Sequence, residues 1–164
     1  MKKQHGVTLI ELVITVAILG IILAVAWPAF ERQSAKGRRS DAAIALTNAR
    51  QALIAFRSDN GAYPADAAAA LGALRNYLVT APNAPPIDCK DARGYQISAG
   101  GGVISCQNYY NITVTASNAN SFGLTATPVI SDDECTTLTL DHLGTRGFTE
   151  AAGENSSQAR CWAQ

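Results

Sequence analysis

Two hydrophobic patterns divide this chain of 164 residues. From Val7 to Phe30 apolar residues follow one another almost without a break, interrupted chiefly by Thr8, Glu11, Thr15, Gly20 and Pro28. As an α-helix rising about 1.5 Å per residue, such a run reaches roughly 36 Å, enough to cross the hydrocarbon core of a bilayer. From Glu31 to about Asp59 the pattern becomes periodic. Ala42, Leu46, Ala49, Leu53 and Phe56 recur at alternating steps of four and three, which places them on one helical face. Arg38, Arg39, Asp41, Arg50 and Arg57 fall mostly off that stripe and are expected at the surface. The alanines in the stripe let a sheet approach the helix closely. Ser58-Asp59-Asn60-Gly61 and then Pro64 end it with turn chemistry.

The next stretch, Ala65 to Arg93, reads as a connection. It holds an alanine-rich segment to Leu78 that can form a short helix, followed by Ala81-Pro82-Asn83-Ala84-Pro85-Pro86, which cannot be regular structure. After Gly94 the period changes to two. Strands are expected over Tyr95–Ser98, Val103–Gln107, Tyr109–Ser117, Phe122–Pro128 and Thr136–Asp141, separated by Gly, Asn, Ser and Asp. A long helix followed by an antiparallel meander is an α+β arrangement. The hydrophobic half of the helix is expected to protrude and the amphipathic half to pack on one sheet face.

Composition adds three constraints. The formal net charge is zero, which removes any bulk electrostatic case for nucleic-acid binding. Charge is unevenly placed: Glu31–Asp59 carries six basic residues against three acidic, and the chain from Asn60 on carries five against nine. The four cysteines, Cys89, Cys106, Cys135 and Cys161, lie beyond the apolar run with no CxxC and no histidine cluster, which points to two disulfides rather than a metal site. Three pairings are open. No cofactor signature or catalytic constellation is present. Of the two histidines, His5 precedes the apolar run, and His142 beside Asp141 reads as a surface pair in a turn. Asp132-Asp133-Glu134 reads as a solvated acidic loop.

Lys2 and Lys3 before the apolar run would stay on the cytoplasmic side of a membrane. No small-residue cleavage site follows the run, so the helix is expected to be retained. Glu11 is the anomaly, because a carboxylate in a membrane helix costs roughly 2–3 kcal/mol, less near the interface. Either it sits at headgroup depth, or another subunit supplies its partner charge.

The segment Lys2-Lys3-Gln4-His5-Gly6-Val7-Thr8-Leu9-Ile10-Glu11-Leu12 resembles the class III signal of type IV prepilins. In that family a short basic leader ends in glycine, and a hydrophobic helix follows with glutamate at its fifth position. The resemblance implies that a prepilin peptidase cleaves between Gly6 and Val7 and methylates the new amino group on Val7. Val7 stands where the family usually has phenylalanine. It also implies that Glu11 carries an assembly charge, that Gly20 and Pro28 mark where the helix can bend or melt, and that the fold is the type IV pilin fold. A passive kink at Pro28 is the plainer account of that proline.

Further resemblance lies in Asn108-Tyr109-Tyr110-Asn111-Ile112, Phe122-Gly123-Leu124-Thr125-Ala126-Thr127-Pro128, Cys135-Thr136-Thr137-Leu138-Thr139-Leu140-Asp141 and Leu143-Gly144-Thr145-Arg146-Gly147, ending at Cys161-Trp162. These are similar to the PilE-type minor pilin branch, in which Cys135 and Cys161 would close the C-terminal loop. Cys89 and Cys106 are then left as the second pair. The expected organisation is a leader over 1–6, a membrane and filament-core helix over 7–30, and a head over 31–164. The head would hold a loop over 60–94, a sheet over 95–141 and a disulfide-bounded loop over 135–161. The implied partners are other pilin subunits, the prepilin peptidase, the inner-membrane assembly platform and, before assembly, the bilayer. The head would lie in the periplasm first and on an extracellular pilus afterwards. Priming of assembly as a minor pilin is the expected role. The alternatives are a major pilin forming the fibre and a DNA-uptake pilin, the latter disfavoured by the acidic balance after Asn60.

Overall fold

The structure, a computed structural model, describes residues 8–80, 95–98, 102–152 and 157–162, with the backbone alone for 77–80. Helix α1 runs from Leu9 to Asn60 without interruption, through both Gly20 and Pro28. The residues up to Ala35 and those from Lys36 onward form two separate compact units.

In the second unit, Ala42, Ala45, Leu46, Ala49, Ala52 and Leu53 of α1 are buried. Four of these lie at the spacing the sequence predicts; Phe56, the fifth expected position, is only half-buried. Arg39 and Asp41 are also buried, contrary to the expectation that they lie at the surface. The helix stops where the turn residues stand. Gly61 takes the left-handed conformation, with φ of +79°, and its N–H donates to the Arg57 carbonyl at 2.7 Å. This satisfies a carbonyl that the last turn leaves open, and a side chain there would be strained. The exit is then tied to the sheet. Tyr63 N–H donates to the Ala119 carbonyl, Ser117 Oγ donates to the Pro64 carbonyl at 2.6 Å, and the Tyr63 ring meets Phe122 edge-on at 4.9 Å.

Helix α2 spans Ala67–Thr80. Asp66 caps it by accepting the Ala69 N–H at 2.7 Å, and among its described side chains Ala70 and Leu74 are buried. Among the described residues six strands follow: β1 Tyr95–Ile97, β2 Val103–Ser105, β3 Tyr110–Asn118, β4 Ser121–Pro128, β5 Cys135–Asp141 and β6 Arg146–Glu150. They pair antiparallel in chain order, each with the next. Alternation decides the faces. Tyr110 and Ile112 of β3, Phe122, Leu124 and Ala126 of β4, and Leu138 and Leu140 of β5 are buried, with more exposed residues between them. The α+β meander and five of its strands match the sequence reading.

The sixth strand lies beyond the sheet expected over 95–141. Gly147 lies opposite Thr139, and a β-carbon there would collide with the Thr139 hydroxyl. The glycine therefore serves close strand approach rather than a turn. A short helix, α3 Gln158–Cys161, is likewise absent from the sequence reading; Ser157 caps it, and the indole N–H of Trp162 donates to the Gly147 carbonyl at 2.9 Å. The proline-rich stretch over 81–86 lies outside the described residues.

Candidate assembly interface

The start of α1 is built by Thr8. Its carbonyl accepts the Leu12 N–H, and its hydroxyl accepts the Glu11 N–H at 3.3 Å. Glu11 stands in the first turn, where the positive end of the helix dipole favours a carboxylate. It is exposed, as are its neighbours. From Leu9 to Phe30 the large apolar side chains are each more than half exposed. The segment is long and apolar enough to cross a membrane. At about 25 cal/mol per Å², an apolar helix of this length does not stay bare in water; lipid or other protein must cover it. Gly6 and Val7 lie outside the described residues.

In the head, the polar group with the largest consequences is one the sequence reading assigns to the surface. Arg39 is 4% exposed and Asp132 7%. The guanidinium grips the Asp132 carboxylate with two bonds, Nε to Oδ2 at 2.7 Å and Nη2 to Oδ1 at 2.6 Å. Its Nη1 donates to Glu134 Oε2 at 2.8 Å and, more weakly, to the Arg160 carbonyl at 3.4 Å. Asp132 Oδ1 also accepts the backbone N–H groups of Glu134 and Cys135. One arginine thus fastens α1 to the β4–β5 loop and to the C-terminal segment. Burial alone would raise the Asp132 carboxyl; the Arg39 hydrogen bonds and the two backbone donors outweigh it and hold the carboxyl below its ordinary value. The Arg39 guanidinium is pushed up chiefly by its bond to Asp132. Tyr110, in the same surroundings, is pushed up to about 12, chiefly by burial. Asp132-Asp133-Glu134 is therefore not a solvated loop: Asp133 is exposed, whereas its two neighbours hold the arginine. No local signal could have paired residues 93 apart in the chain.

Cys135 and Cys161 form a disulfide with Cα atoms 5.8 Å apart, as the family resemblance implies. The bridge closes a loop of 26 residues, worth about 3–4 kcal/mol in the chain-entropy account. Cys106 is disulfide-bonded too; its expected partner Cys89 lies outside the described residues. His142 is not a plain surface pair with Asp141. Its ring lies near Tyr63 and Phe122, at 6.3 and 6.2 Å, and its carbonyl accepts two bonds from Arg50. Two exposed guanidiniums stand over aromatic rings, Arg57 at 4.8 Å from the Tyr63 centroid and Arg146 at 5.1 Å from that of Trp162. Among the described residues no group of histidine, cysteine and acidic side chains is placed to hold a metal ion.

Two family patterns match the chain. Residues 1–27 match the prokaryotic N-terminal methylation motif. Residues 28–139 match the family described as type IV minor pilin ComP, DNA uptake sequence receptor. Among individual proteins, the fimbrial protein EcpC of Eikenella corrodens is 43% identical over 69 residues, 42% of this chain and 45% of that protein. The type IV major pilin protein PilE of Neisseria gonorrhoeae is 38% identical over 63 residues, 38% of each chain. The type IV major pilin protein PilA of Myxococcus xanthus is 29% identical over 164 positions, covering 97% of this chain and 69% of that protein. The matches to EcpC and PilE thus span less than half the length of those relatives.

Proposed function

The chain belongs to the type IV minor pilin family described as ComP, DNA uptake sequence receptor, and on that premise we propose that it is a minor structural subunit of a type IV pilus. The observation that carries this is α1 itself. A bare apolar helix, headed by a methylation motif, continues as the central helix of a folded head. A prepilin peptidase cuts between Gly6 and Val7 and methylates the Val7 amino group. Before assembly the apolar part of α1 spans the inner membrane with the head in the periplasm. On assembly, at the inner-membrane platform, it leaves lipid and is covered by other pilin subunits. Glu11 of one subunit then neutralises the amino terminus of its neighbour, a pair that is strong in apolar surroundings and fixes register. Gly20 and Pro28 are where the helix adjusts; Pro28 has no N–H to bond one turn back. Nothing in this role requires catalysis. In sheared pili the chain is expected at a small fraction of total protein; a dominant band would make it the major subunit instead.

A second reading follows from the family description: the head binds duplex DNA. The head from Glu31 on carries eleven basic residues against twelve acidic, so binding must come from a local cluster and not from net charge. Arg57 and Arg146, exposed and each seated on a ring, are pre-ordered donors for phosphate or base edges. A mobility-shift titration of the detergent-solubilised chain tests it. Affinity is expected to fall linearly with salt on logarithmic axes, by a slope near −0.9 per phosphate contacted. The absence of any shift at low salt would remove this reading and leave the structural role intact.

A further inference from the structure

We propose that Trp27 is the depth anchor that fixes where α1 leaves the bilayer, its ring seated at the outer boundary between acyl chains and headgroups. The inference rests on the membrane-anchored state described above. From Leu9 to Trp27 the helix climbs eighteen residues, which at about 1.5 Å each is roughly 27 Å, close to the thickness of the hydrocarbon core. The composition changes at the same place. The stretch from Val16 to Ala26 is wholly apolar apart from Gly20, whereas Glu31, Arg32, Gln33, Ser34 and Lys36 are polar and exposed. Trp27 stands at that boundary, 64% exposed, with the exposed Phe30 three residues on. An indole has an apolar body and one polar N–H, which suits the interface and is poorly suited to the core.

The polar end of this indole is already provided for. Trp27 Nε1 donates to Glu31 Oε1 at 2.8 Å, one helical turn toward the head. The bond points the N–H along the helix toward the polar side and leaves the ring face free for lipid. Because the acceptor belongs to the same chain, the indole needs no lipid partner, so it can leave the membrane without losing its hydrogen bond.

The test uses the full chain in phosphatidylcholine vesicles, with Trp162→Phe leaving Trp27 as the sole tryptophan. Vesicles carry bromine either near the glycerol end of the acyl chains or near their methyl ends. Stronger quenching by the shallow bromines, with blue-shifted emission, is expected. Stronger quenching by the deep bromines overturns the proposal, and so does quenching by aqueous acrylamide alone. If Trp162→Phe prevents folding, the difference between the wild type and Trp27→Phe reads the same residue. Flotation of the same samples separates the two levels. A chain that does not float with vesicles defeats the membrane-anchored reading, whereas one that floats with its indole at the wrong depth defeats only the anchor.

Discussion

Replacing Arg39 with alanine is expected to destabilise the head by about 3–5 kcal/mol, a large part of what a domain of this size possesses. The substitution removes no net attraction of that size. It leaves Asp132 buried with two backbone donors and no counter-charge, and it unfastens α1 from the β4–β5 loop and from the Arg160 carbonyl. Acid should act through the same carboxylate. The folded Asp132 titrates below its ordinary value of about 4, so its contribution is present above that pH and is lost as pH falls through the folded pKa. In Arg39→Ala the guanidinium is gone and burial drives the carboxyl up, so the gap between variant and wild type narrows on acidification. Denaturant melts of the detergent-solubilised protein at pH 7 and near pH 3 measure both effects. A gap under about 1 kcal/mol at neutral pH would place the pair among surface bridges and contradict the burial described here. Replacing Arg39 and Asp132 together by apolar residues of similar volume should recover most of the loss.

Glu11→Ala is expected to leave membrane insertion intact and to reduce recovery of the chain in sheared filaments by at least about tenfold. Insertion should become easier, since a carboxylate is taken out of an apolar helix. Assembly should suffer because the amino group of the neighbouring subunit is left without its counter-charge in a dry environment, at a cost of several kcal/mol. A tenfold loss corresponds to only about 1.4 kcal/mol, so the threshold is conservative. Glu11→Gln keeps the shape and removes the charge; it should behave like alanine. Quantitative immunoblots of membrane and sheared fractions read both halves of the prediction, and normal incorporation of either variant would show that Glu11 is merely tolerated at headgroup depth.

The two ends of the molecule differ in how far the sequence alone discloses them. The Ala42–Leu53 stripe, the stop at Asn60-Gly61 and the alternating strands are local patterns, and each lies where its period and turn chemistry place it. β6 is hidden because Gly147 serves a close approach to Thr139 that only the paired strand explains. Arg39 and Asp132 are hidden for a different reason. Charged residues default to the surface, and only a partner 93 positions away makes burial tolerable. Gly6, Val7 and Glu11 are legible at once, since the methylation motif matched over residues 1–27 is a linear pattern that needs no fold to bring its residues together. Trp27 lies between these cases: the sequence gives its place in the apolar run, but only the structure shows its N–H already bonded to Glu31.

The proposal that binds these observations is that the leader ahead of α1 is removed, the new terminus at Val7 is methylated, and α1 then moves from membrane to filament. Mass spectrometry of the N-terminal peptide of this chain, taken from sheared filaments, tests it most directly. The account predicts a chain that begins at Val7 and carries one methyl group on its amino nitrogen. A filament-borne chain that still holds residues 1–6, or a chain found in the membrane fraction and absent from filaments, would contradict it.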